Sequence, residues 1–91
     1  MTARLLVPTV LREAAGGAAQ LTVQGGTVRA LLDGLAEQQP LLERRLRDER
    51  GALRRHVLVF VNGVQVDPAA GLEDPVPEGA EVFLAPAVSG G

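Results

Sequence analysis

The sequence predicts an α+β fold, a mixed sheet of four to five strands packed on one main helix. Three observations lead there. Two short apolar stretches, residues 4–7 and 21–23, flank a Gly16-Gly17 turn signal. Val28, Leu31, Leu32 and Leu35 then recur at spacings of three and four, which marks one helical face. After that helix come further strand-like runs, of which Val57-Leu58-Val59-Phe60-Val61 is the clearest.

Taken in order, residues 4–7 read as the first strand. Pro8 closes it, because proline has no N–H to give to a central ladder. Residues 21–23 return as the second strand of a hairpin, ended by Gly25-Gly26-Thr27. Thr27 is a candidate N-cap for a helix starting at Val28, since its hydroxyl can accept a first-turn N–H. Pro40 ends or interrupts that helix by pushing the preceding residue out of the α region. Residues 40–46 begin a second short helical turn. Residues 47–55 are charged apart from Gly51, Ala52 and Leu53, and such a run reads as a solvated loop.

Residues 57–61 form the third strand. Asn62-Gly63 follows it, a strong hairpin signal because a type I′ turn needs positive φ at both central residues. Residues 64–66 return, 68–78 make a loop holding Leu72, and 81–85 form the last strand, stopped by Pro86. A hairpin, a crossover helix and later strands packed on the same helix suggest a β-grasp, ubiquitin-like sheet. The domain is expected to span 1–86, with 87–91 as a flexible tail. Two glycines at 90 and 91 contribute nothing to a core, and without a Cβ they make a thin arm able to enter a narrow channel.

Ninety-one residues make one domain. Its core must be aliphatic, because there are two Phe and no Tyr or Trp. A net charge of -2 argues against nucleic-acid binding, which normally shows a basic stripe. No run of about 18 apolar residues is present to span a membrane. The first residues show no signal-peptide pattern, so the expected compartment is the cytoplasm. The absence of cysteine excludes disulfides, cysteine-based zinc sites and thiol nucleophiles. A single histidine, His56, leaves no His–His metal pair and no Ser-His-Asp set. The inventory is not that of an ordinary enzyme.

Strand alternation sorts the two sheet faces. Leu5, Val7, Val57, Val59, Val61, Val82 and Leu84 are expected to face the helix. Leu6, Pro8, Leu58, Phe60, Phe83 and Ala85 fall on the opposite face. That side is usually polar in an antiparallel sheet. Its apolar character here points to a partner-docking face. His56 reads as a solvated residue leading into a strand, and Arg12 as a surface ion pair or a solvated side chain.

Three segments carry a resemblance: Val7-Pro8-Thr9-Val10-Leu11-Arg12, Val61-Asn62-Gly63, and Leu84-Ala85-Pro86-Ala87-Val88-Ser89-Gly90-Gly91. With the element order, they make essentially the whole chain resemble the ubiquitin-like sulfur carriers of the MoaD/ThiS family. The first and last segments are most similar to the CysO-type branch, which feeds a cysteine synthase.

The resemblance implies that an E1-like enzyme uses ATP to adenylate the terminal carboxylate of Gly91. A sulfur donor then replaces AMP and leaves a thiocarboxylate. Gly90, Ser89 and Val88 would form the presenting tail, and the apolar outer face would dock on the activating enzyme. In the cysteine branch, the thiocarboxylate attacks an aminoacrylate on pyridoxal phosphate in the partner, and a metal-dependent protease releases the product. Those cofactors belong to the partners; the carrier binds none, and its free form is expected to be monomeric. Three other readings use the same residues: a ubiquitin-like modifier joined to lysines, the small subunit of molybdopterin synthase, and a plain β-grasp interaction domain.

Overall fold

The computed structural model describes residues 1–86; the expected tail, with Val88, Ser89, Gly90 and Gly91, lies outside the described residues. The strands are β1 (Thr2–Leu6), β2 (Gln20–Gln24), β3 (Val57–Val61), β4 (Val64–Gln65) and β5 (Ala80–Pro86). Two helices, α1 (Val28–Gln38) and α2 (Pro40–Leu46), connect β2 to β3. Short 3-10 turns occupy Thr9–Leu11, Glu13–Ala15 and Gly71–Glu73.

Local chemistry accounts for the boundaries. Thr27 is extended at φ -133, and its Oγ1 accepts the Ala30 N–H at 3.1 Å, capping α1. Gly25 lets β2 pass close beneath the new helix, where a Cβ would collide with the Leu31 backbone. Pro40 takes the first turn of α2, where its missing N–H costs nothing. The turn expected there is a full seven-residue helix that buries Leu42 and Leu46, so the sheet packs on two helices. Asn62 and Gly63 take φ 48 and φ 84, as the hairpin signal requires.

The sheet order is β2-β1-β5-β3-β4. β1 runs parallel to β5, and every other pairing is antiparallel. The helical crossover makes that one parallel pair possible. Both β1 and β3 thus flank β5, the strand that leads toward Gly91.

The core lies between the inner sheet face and the helices. Leu5, Val7, Val59, Val82 and Leu84 meet Val28, Leu31, Leu32, Leu35, Leu42 and Leu46, all buried. Val57 is buried too, whereas Val61 is only half-buried, because it pairs with Val64 beside the turn on a two-residue strand. Val66 and Val76 add to the core from the long connection that leads to β5. That connection is stitched to the start of α1: Val28 N–H donates to the Asp74 carbonyl at 3.0 Å, and Val76 N–H to the Gly26 carbonyl at 2.9 Å.

Two expectations need correction. The charged run after α2 is not wholly solvated. Arg47 is 8% exposed, its Nε paired to Glu43 at 2.7 Å and its Nη1 to Asp33 at 2.9 Å. Leu53, bridged to Arg47, is buried as well. Pro86 does not stand outside the last strand but is its final residue, opposite Val57. Pairing with β1 has already ended at Phe83, so a missing N–H breaks no ladder on that side. No described helix is long and apolar enough to cross a membrane.

Candidate functional site

The outer face of the sheet is built by register. Leu6 on β1 lies opposite Phe83 on β5, and Phe83 lies opposite Phe60 on β3. One step further along, Ala85 faces Leu58. Pro8 follows just past the end of β1, on the same side in the alternation. The Phe60 and Phe83 rings sit 6.3 Å apart, tilted by 46°. Such a pair contributes about 0.5–1.5 kcal/mol beyond its buried area.

Of the six residues expected on this face, strand pairing brings Leu6, Leu58, Phe60, Phe83 and Ala85 together, whereas Pro8 lies past the end of β1 and is in no strand pair. Only Phe83 stands well clear of its neighbours, at 45% exposed. Leu6, Pro8, Leu58, Phe60 and Ala85 are half-buried. The patch is therefore shallow and preformed, with one projecting aromatic ring.

The apolar character stops abruptly. One step back along β5, Glu81 pairs with Arg4 at 3.4 Å, and Arg4 lies opposite Thr22 on β2. Beyond that, Glu78 accepts both the Thr2 N–H at 2.9 Å and the Thr2 hydroxyl at 2.8 Å. The apolar patch thus covers only the half of the face where β5 ends.

The rim of that half has two sides. Beside β1, the first 3-10 turn exposes Val10. Arg12, expected to be a solvated or ion-paired side chain, instead clips this turn to the strand: its Nε donates to the Val7 carbonyl at 3.0 Å. Beside β3, His56 is exposed, as expected of a solvated residue, and sits one step before the Val57–Pro86 pair. The sequence held no periodic signal for Val10, because a 3-10 turn is too short to show one.

Electrostatics separate this patch from any acid–base site. Three carboxyls titrate below their usual range. Asp48 is lowered chiefly by the Ala52 N–H, Asp67 by the N–H groups of Ala69 and Ala70, and Glu78 by the Thr2 hydroxyl and N–H. All three brace turns or strand starts, and none belongs to the apolar patch. Among the described residues no cluster of His, Asp and Glu has the makings of a metal site. The arrangement is suited to binding rather than to bond-making.

A model of the ThiS family matches residues 5–91. The sulfur carrier protein CysO of Mycobacterium tuberculosis is 32% identical over 93 aligned positions, covering all of both chains. Among solved structures, the CysO/BexX complex of Amycolatopsis orientalis holds a chain similar at a TM-score of 0.85 and 32% identity, covering 98% of this chain and 99% of that one. SAMP1 of Haloferax volcanii matches at a TM-score of 0.81 and 31% identity, each chain covered in full.

Proposed function

The chain belongs to the ThiS family, and from that membership we propose that it is a sulfur carrier whose Gly91 carboxylate is adenylated and then converted to a thiocarboxylate. One carboxylate oxygen bonds to the α-phosphorus of ATP, and pyrophosphate leaves. A hydrosulfide-equivalent donor then attacks the acyl carbon, AMP leaves, and sulfur remains on Gly91. The chain acts as a carrier, not an enzyme, and its side chains take no part in those steps. ATP is used by an E1-like activating enzyme. The proposed acceptor is a cysteine synthase that works with pyridoxal phosphate, followed by a metal-dependent protease that frees the product.

The observation that carries this reading is the placement of the apolar patch. Leu6, Pro8, Leu58, Phe60, Phe83 and Ala85 gather at the end of β5 from which the sequence runs on to Gly91. A partner seated on that patch is well placed to receive Val88, Ser89, Gly90 and Gly91. The CysO/BexX complex supports it, because there a chain of this fold is found with a partner.

A second reading, a protein modifier joined to lysines, is favoured by the likeness to SAMP1, the small archaeal modifier protein 1 of Haloferax volcanii. It uses the same activation and differs only in the acceptor. The chain itself contains no lysine. A modifier of this sequence would therefore add single copies to its targets, with no ε-amine on which to grow a chain.

Protein isolated from its own cells is expected to contain a fraction heavier by the difference between sulfur and oxygen, localised by fragmentation to Gly91. Deleting Gly91 is expected to abolish ATP–pyrophosphate exchange by the E1-like enzyme while the thermal midpoint stays unchanged. Full sulfur transfer by the deletion variant would overturn the carrier reading. Single-copy adducts on cellular lysines, with no thiocarboxylate, would move the assignment to the modifier.

A further inference from the structure

We propose that the end of the molecule carrying Pro86 is a basic pole, and that it steers the chain onto an acidic surface around the site of the activating enzyme that takes the C-terminal residues. This deepens the carrier reading and rests on it.

All nine cationic side chains are arginines. Four are neutralised within the fold: Arg4 by Glu81, Arg29 by Glu73, Arg47 by Asp33 and Glu43, and Arg50 by Asp48. The other five, Arg12, Arg44, Arg45, Arg54 and Arg55, have no carboxylate within 4.0 Å among the described residues. These five converge on one end. Arg12 follows the C-terminal end of β1, which runs parallel to β5. Arg54 and Arg55 lead into β3, whose first residue lies opposite Pro86. Arg54 Nε donates to the Arg44 carbonyl at 2.8 Å, which ties the end of α2, with Arg45, to the same place.

The other end carries the opposite sign. Asp67, Glu73, Asp74, Glu78 and Glu81 all fall in residues 67–81, which hold no arginine and lead into β5 from its far end. Glu73 and Glu81 are met by Arg29 and Arg4 and Glu78 by the N-terminal ammonium, which leaves Asp67 and Asp74 without an ion pair there among the described residues. On the basic half, the carboxylates without an ion pair are Glu13, Glu37 and Glu49, fewer than the five arginines. The formal charge of -2 therefore hides a dipole aligned with β5.

The distribution fits a protein surface better than a phosphate. A depression of about 680 Å³ beside α2 is lined by Arg44, Arg47, Arg50 and Arg54, but also by Glu43, Asp48 and Glu49. Glu43 and Asp48 already engage Arg47 and Arg50. What remains free is spread around the rim, not focused in a cup. Guanidinium forks match carboxylates with two parallel hydrogen bonds. Charges at the rim of an interface act mainly on the rate of encounter. A dipole along β5 would turn the Pro86 end toward an acidic partner before contact.

The test uses the E1-like adenylating enzyme of the same organism with ATP. Arg45 and Arg55 are exposed and unpaired, so the double variant Arg45→Glu/Arg55→Glu should fold with an unchanged thermal midpoint. Its association rate, read by stopped flow, is expected to fall about tenfold at low salt. The difference should close near 1 M salt, where the screening length shrinks to about 3 Å. Arg45→Gln/Arg55→Gln should fall between, with dissociation nearly constant throughout. Equal rates for all three proteins, or a loss that salt does not relieve, would overturn the proposal. So would salt-sensitive binding to a short DNA duplex with no effect on the enzyme. A wild-type chain that is not adenylated at all would instead bring down the carrier reading, and this proposal with it.

Discussion

At the start of β5 the outer face is closed by polar contacts: Arg4 meets Glu81, and Glu78 holds both the N–H and the hydroxyl of Thr2. At the end of β5 the same face carries Leu6, Phe83 and Phe60 in one row and Ala85 with Leu58 in the next. The two halves share strands, pleat and alternation. They differ in what water does to them. Polar groups that satisfy one another lose little by staying wet. An apolar half left exposed forgoes about 25 cal/mol for each Å² that burial would recover. Folding does not require that exposure, since the inner face supplies the core. The stability of the sheet does not account for the patch, and its exposure fits the docking role proposed for the end of β5.

Adjacent residues on β5 give the sharpest way to break this comparison, because Phe83 and Leu84 point to opposite sides. Leu84 is fully buried. Leu84→Ala is expected to cost about 3–5 kcal/mol, out of roughly 5–13 kcal/mol for a domain of this size. Urea titration should show that loss as a large drop in midpoint. Phe83→Asp should shift the midpoint less, losing about 0.5–1.5 kcal/mol of its contact with Phe60 together with the burial of the covered part of the side chain, which is 45% exposed. It should nevertheless reduce adenylation at limiting carrier by about tenfold or more, as expected for a central aromatic anchor. A Phe83→Asp chain that unfolds would show that the outer row belongs to the core. One that is adenylated normally would remove the patch from the docking surface.

The division between faces was legible because strand periodicity is strict. Leu5, Val59, Val82 and Leu84 fell on the buried side by alternation alone. Thr27 and Asn62-Gly63 were legible through local backbone chemistry that no distant contact had to supply. What escaped was set by tertiary partners. Arg47 looks like one more charge in a charged run, and its burial depends on Asp33, which lies on the preceding helix, α1. Val76 sits between prolines in a segment with no periodicity, and its burial comes from bonding to Gly26. The basic pole was hidden for a related reason. A net charge sums over the molecule, whereas the segregation of Arg12, Arg54 and Arg55 from Asp74 and Glu78 appears only once β1, β3 and β5 are laid side by side.

The smallest expected effect belongs to the polar half and tests the comparison from the other side. Hydrogen bonds from the Thr2 hydroxyl and N–H hold the Glu78 carboxyl below its usual range in the folded chain. The unfolded chain, with an ordinary glutamate near pKa 4.3, takes up its proton first as the pH falls. Glu78 therefore adds stability above that value, and the contribution is lost as the pH drops through the lower folded value. Asp67, lowered by two backbone N–H groups, follows the same sign. The thermal midpoint of the wild type should decline on acidification below about pH 5. Glu78→Gln should start from a slightly lower midpoint at neutral pH, and its curve should meet the wild-type curve once the carboxyl is protonated in both states. Because Glu78 is exposed and far from the apolar rows along β5, adenylation of the variant should match the wild type at neutral pH. A Glu78→Gln chain with an unchanged midpoint and slower adenylation would mean that the polar half also touches the activating enzyme, and the boundary drawn between Glu81 and Phe83 would have to move.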